Sequence, residues 1–100
     1  MNLADETIKE IRDIGKTAFD VAFVSDGNSW CSFDDFIREA KYFYYENDYG
    51  IPEVNLLLRI NFNDGTWLER AEYDGSEYWE YCAPVSKNLF IENTSVFLEN

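Results

Sequence analysis

Between Asp64 and Glu80 the chain sets six carboxylates, Asp64, Glu69, Glu72, Asp74, Glu77 and Glu80, against a single base, Arg70. Trp67, Tyr73, Tyr78, Trp79 and Tyr81 are interleaved with them. Paired carboxylates can hydrolyse glycosides, one as acid and one as nucleophile or base. A domain that commits this much of itself to one sheet leaves little room for the sugar cleft such chemistry needs. Other reaction classes fare worse. The chain has no histidine, so a serine or cysteine nucleophile would lack its usual imidazole base, and the lysines read as solvated. Asp26-Gly27-Asn28 and Asp64-Gly65 resemble pieces of a calcium loop, but the full acidic repeat with its trailing glutamate is missing, so they read as turns. Cys31 and Cys82 have no metal-ligand spacing and read as free thiols. The glycines form no phosphate-cradling loop. The expectation is a protein that is not an enzyme and uses no cofactor or metal.

What remains is recognition. Alternate residues of a strand lie about 6.6 Å apart on one face, a spacing similar to that of successive phosphates along a nucleic-acid strand. Carboxylates arrayed this way can occupy arginine and lysine pockets built for a polyanion, and neighbouring tyrosines offer arginine a stacking surface. The expected partner-binding residues are Asp64, Glu69, Glu72, Asp74, Glu77 and Glu80 with Tyr73 and Tyr78 as anchors, and the loop acids Glu46 and Asp48 as a second tier. Glu72, Tyr73 and Asp74 sit near a hairpin tip, where protrusion into a groove is easiest. The competing reading makes Trp67, Trp79 and Tyr81 core or cross-strand packing residues and the glutamates a solvated face.

The elements that must position these residues are legible. Residues 54–83 read as three consecutive antiparallel strands joined by two Asp-Gly turns, whose glycines supply the positive φ that tight hairpins require. Val54, Leu56, Leu58, Ile60 and Phe62 alternate with Asn55, Leu57, Arg59 and Asn61, so the first set faces a helix. A three-residue turn with a bulge at Asn63-Asp64-Gly65 opposes Phe62 to Thr66, Ile60 to Leu68 and Arg59 to Glu69, the last a cross-strand ion pair worth about 0.2–1 kcal/mol. The Tyr73-Asp74-Gly75-Ser76 turn closes as either a two- or a three-residue loop, with different consequences for the faces of Tyr78 and Glu80.

Ser32 caps a helix over residues 32–45, with Asp35 three positions on and Phe33, Phe36, Ile37, Ala40, Phe43 and Tyr44 on one wide apolar face. An N-terminal helix is expected over residues 5–17, capped by Asp5, followed by a short strand at Phe19–Val24 and a turn at Asp26-Gly27-Asn28. Residues 85–100 read as a fourth strand or a short docked helix. Together these give an α+β single domain over residues 1–100, an antiparallel sheet of three to five strands with the 32–45 helix across one face.

The charge belongs to the whole domain. Residues 1–50 carry 5 bases and 11 acids and residues 51–100 carry 3 and 9, so each half stands at −6 of a net −12. An object this acidic repels nucleic acid and anionic membranes, and its field favours a cationic partner such as a protein whose own ligand is DNA or RNA. The beginning of the chain lacks a basic, apolar signal, and no apolar run approaches the ~20 residues that span a bilayer. A cytoplasmic protein is expected, monomer or homodimer.

At W-L-E-R-A-E-Y-D-G-S-E-Y-W-E-Y, Trp67 to Tyr81, the chain resembles a group of short acidic proteins of phages and mobile elements in Gram-positive bacteria, which share a WLER-x-EYDGSE-x-W core after an apolar strand and end it with a proline, here Pro84. Thr66 departs from the pattern, which has a second aromatic residue before the core. The group's size, acidity and setting are similar to those of anti-CRISPR proteins, which commonly inhibit a CRISPR effector by occupying its nucleic-acid-binding surface. The resemblance therefore implies a stoichiometric inhibitor of a CRISPR–Cas effector in the host cytoplasm, its acidic surface mimicking nucleic acid. The alternative is a non-enzymatic phage regulatory or structural protein-binding module that uses the Trp and Tyr face of its sheet.

Overall fold

The computed structural model describes residues 1–45, 53–86 and 92. Its elements run α1 (Leu3–Asp13), a 3-10 turn (Ala18–Asp20), β1 (Val21–Ser25), β2 (Trp30–Cys31), α2 (Phe33–Ala40), β3 (Arg59–Phe62), β4 (Trp67–Tyr73) and β5 (Ser76–Cys82). The strands form one antiparallel sheet in the order β2-β1-β3-β4-β5. The expected α+β class stands, with five strands among the described residues. Glu46, Asp48 and most of residues 85–100 lie outside the described residues.

Both helices cover one face of the sheet. Val24, Ile60, Phe62, Leu68 and Trp79 point into a core closed from above by Leu3, Ala4 and Ile11 of α1 and Phe36 and Ala40 of α2. Alternation along the strands then sends Phe23, Ser25, Arg59, Asn61, Trp67, Glu69, Tyr78 and Glu80 to the opposite face.

α1 begins two residues earlier than expected because Asn2, not Asp5, is the cap: its side-chain oxygen accepts from the Asp5 N–H at 3.1 Å. It ends in a Schellman motif. Gly15, at φ +80°, lets its own N–H reach Arg12 O and the Lys16 N–H reach Ile11 O. Phe19 and Asp20, expected to open a strand, fall instead in the 3-10 turn, because the Asp20 carboxylate accepts from the Thr17 N–H and holds the backbone curled.

Ser32 caps α2 as expected, accepting from the Asp35 N–H at 3.1 Å. The helix stops at Ala40, short of the expected Tyr45. Beyond it the chain bonds to the N-terminus: Leu3 N–H to Phe43 O, Tyr45 N–H to Met1 O, and the Asn2 side-chain amide to Lys41 O. These tertiary bonds replace the helical ones, and they leave Tyr44 exposed. The meander also starts late. Asn55 accepts from the Leu57 N–H through its side chain and from the Leu58 N–H through its carbonyl, so residues 55–58 turn and Leu56 and Leu57 are exposed. Strand pairing begins at Arg59.

The first hairpin has the expected register, with Ile60 opposite Leu68, Arg59 opposite Glu69, and a Phe62 N–H to Thr66 O bond of 2.9 Å across the three-residue turn. Gly65, at φ +87°, makes that turn possible. The second hairpin, open on sequence grounds, closes on two residues. Tyr73 pairs with Ser76, and Asp74 and Gly75 both take positive φ, +53° and +85°, a type I′ turn.

Candidate partner-binding surface

The two-residue turn fixes which carboxylates share a face. Glu69 stands opposite Glu80 on the face away from the helices, and Glu72 stands opposite Glu77 on the helix side. The expected acidic ribbon is therefore split between both faces, because side chains alternate with period two and these acids fall on both parities.

Three of the six acids are engaged inside the protein. Glu77 is 3% exposed, and its oxygens accept from the backbone N–H groups of Glu53, at 2.8 Å, and Val54, at 3.0 Å. Its nearest cation is Arg70, whose Nη2 lies 3.6 Å away. Arg70 also donates from Nη1 to Glu6 at 3.1 Å and from Nη2 to the Tyr45 hydroxyl at 3.0 Å, and its guanidinium faces the rings of Trp79 and Tyr45. Tyr45 in turn donates to Glu6. Burial, then that bond to Glu6, pushes the Tyr45 phenol up to about 12. Glu77 belongs to this buried network and is not available to a partner.

Asp64 accepts from Lys16 Nζ at 2.6 Å and from the Thr66 hydroxyl and N–H. The Lys16 bond, then those to Thr66, holds its carboxyl well below the usual range. The ion pair fastens the end of α1 to the β3–β4 turn. Glu69 accepts from Trp67 Nε1 at 2.8 Å and from the Cys82 thiol at 3.1 Å, and these two bonds, in that order, lower its pKa. The expected ion pair with Arg59 is not made although the register is right. Arg59 instead lays its guanidinium over the Trp67 ring, 4.2 Å from the centroid.

Glu72, Asp74 and Glu80 are exposed, with no base within 4 Å among the described residues. They flank Tyr73, 76% exposed, and Tyr78, so the exposed end of the β4–β5 hairpin keeps the acid-and-tyrosine character expected of it. Tyr81, by contrast, lies edge-on to Phe62 and donates to the Thr66 hydroxyl.

A second surface escapes the sequence pattern. The face away from the helices carries a cleft of about 580 Å3 lined by Trp30, Leu56, Leu57, Arg59 and Glu69 among others. The alternation of Trp30 with Cys31 after the Asp26 turn is the signal that could have found it, since Asp26 accepts from the Asn28 and Ser29 N–H groups and folds β2 back onto β1. Cys31 and Cys82 are free, and burial is the main cause that raises both thiols, Cys82 to about 11, so neither is poised as a nucleophile. Among the described residues no group of three or more Cys, Asp or Glu is placed to hold a metal, and no helix is long and apolar enough to cross a membrane.

Fold and surface together define a class, a small α+β domain with helices on one side of an antiparallel sheet and an acidic hairpin at one end. Beyond that class, the chain matches no protein-family model, no curated protein and no solved structure.

Proposed function

We propose that this domain is a non-enzymatic, stoichiometric inhibitor that binds a cationic nucleic-acid-binding protein, and that a CRISPR–Cas effector in the host cytoplasm is that partner. The observation that carries the reading is the end of the β4–β5 hairpin. There Glu72 and Asp74 stand exposed, with no base within 4 Å among the described residues, beside the exposed Tyr73, on a protein of net charge −12. An exposed turn with two carboxylates and a flat ring suits a groove lined by arginine, where each carboxylate takes charge-assisted hydrogen bonds and the ring stacks. Asp64, Glu69 and Glu77 leave the contact set, since each already accepts from internal donors.

The test is a binding series against a candidate effector at rising ionic strength, with the double variant Glu72→Lys, Asp74→Lys alongside. Steep weakening with salt and loss of inhibition in the folded double variant support the reading. Binding that ignores both salt and charge reversal sinks it.

A second reading, a protein-binding module that works through its sheet face, is favoured by one observation. Trp30 is 73% and Leu57 61% exposed on the face that the described helices leave open. Binding that fails on Trp30→Ala and survives high salt selects this reading over the first.

A further inference from the structure

Of the three described bases that are buried or half-buried, Lys16 and Arg70 pair with carboxylates and Arg59 does not. We infer that the cleft over Arg59 is a binding site for a peptide segment that presents one carboxylate beside a bulky apolar side chain. This inference uses a surface separate from the hairpin tip and does not rest on the acidic-surface reading.

Four observations lead to it. Arg59 lines the cleft, yet its guanidinium makes no hydrogen bond or ion pair among the described residues, while its cross-strand neighbour Glu69 turns Oε1 to Trp67 Nε1 and the Cys82 thiol. The guanidinium lies on the Trp67 ring. That stack orients it in advance, and because Nε is shielded from solvent, the two terminal nitrogens are the pair that can grip both oxygens of a carboxylate.

Part of the wall is apolar and built, beside the polar Ser25, Asn28 and Ser29. Trp30, Leu56 and Leu57 are exposed side chains that gain by being covered. Leu57 is seated on Gly27, where an added Cβ would meet its Cδ1 at 3.1 Å and where φ is +96°. Glycine at this position keeps the wall in place.

The charge selects the ligand. Glu69 lines the same cleft and offsets part of the Arg59 field, inside a protein already at −12. A doubly charged phosphate is disfavoured there, whereas a single carboxylate is matched by the single guanidinium. An apolar side chain next to that carboxylate fills the space between Trp30 and Leu57.

The experiment titrates the native chain with two capped dipeptides, acetyl-Phe-Glu-amide and acetyl-Phe-Gln-amide, and reads the indole N–H resonances of the three tryptophans. Saturable shifts at Trp30 and Trp67, none at the buried Trp79, and binding about tenfold weaker for the Gln peptide are expected. Arg59→Met should bind the Glu peptide no better than the Gln peptide, with an unchanged Trp79 resonance as proof of folding. The inference is overturned if neither peptide gives saturable shifts at millimolar concentration, or if the native chain binds both equally. The native-chain comparison decides the matter even if Arg59→Met fails to fold. Loss of the hairpin-tip acids should leave this binding intact, which separates its failure from failure of the inhibitor reading.

Discussion

Arg70 and Glu77, 3.6 Å apart on neighbouring strands, hold the two borders of residues 46–52 against the same guanidinium. On one side Arg70 donates to the hydroxyl of Tyr45, and on the other Glu77 receives the backbone N–H groups of Glu53 and Val54. The pair is also linked to α1 through Glu6. One fully buried cation thus joins the N-terminal helix, the β4–β5 hairpin and the chain on either side of an acidic segment.

Removing that cation should therefore be severe. Arg70→Met leaves the buried Glu77 and the half-buried Glu6 without a countercharge, a loss of about 3–5 kcal/mol by analogy with broken buried pairs. Urea denaturation of the variant measures it. Adding Glu77→Gln to Arg70→Met should recover part of the loss, because one unpaired charge is then gone. A loss under about 1 kcal/mol in the single variant, no more than an exposed pair is worth, would show that the network is not a structural hub.

Thr7 is fully buried in α1, where its hydroxyl donates to Leu3 O and accepts from Trp79 Nε1 at 3.0 Å. Thr7→Val keeps the shape and strands the indole N–H. A loss of about 1–3 kcal/mol is expected, read by chemical denaturation, with the Trp79 indole proton moving upfield as its acceptor disappears.

The Asp64–Lys16 pair gives stability a pH dependence of known sign. The folded carboxyl of Asp64 is held below its ordinary value by Lys16 first and Thr66 next. Its contribution is therefore present above the unfolded pKa, about 3.9, and is lost as pH falls from there toward the folded value. Melting temperatures of the native chain and Asp64→Asn, compared from about pH 6 downward, should differ most at the upper end and converge in acid. A gap that widens in acid would reverse this assignment.

The Asp74-Gly75 turn requires positive φ at both central positions. Gly75→Ala should cost about 1–2 kcal/mol, the penalty for an L side chain in the left-handed region, while Asp74→Gly should be close to neutral. Thermal melts check both. Asp74→Gly also removes one of the two tip carboxylates without disturbing the turn, so it weakens binding to a cationic partner if the hairpin reading holds.

Much of the fold could be read from local pattern. Ser32 with Asp35 marked the start of α2, and Asn63-Asp64-Gly65 fixed the register of β3 on β4. Each is decided within a few residues by cap or turn chemistry. The misreadings share another cause. α2 ends at Ala40 and β3 begins at Arg59 because Phe43, Tyr45 and Asn2, or Asn55 acting on its own turn, offer the backbone partners that helix or strand propensity does not register.

By itself the sequence determined that this chain carries a net charge of −12, closes hairpins at two Asp-Gly turns and alternates acids with aromatic rings. Only the tertiary structure decided which of those acids remain free. Glu6 reaches Arg70 across 64 positions and Lys16 reaches Asp64 across 48, and a two-residue period says that residues lie on opposite faces without saying which face the helices will cover. Neutralisation of a carboxylate depends on distance in space, which local pattern does not encode. Glu77 and Asp64 are thereby drawn into the scaffold, while Glu72, Asp74 and Glu80 stay at the surface.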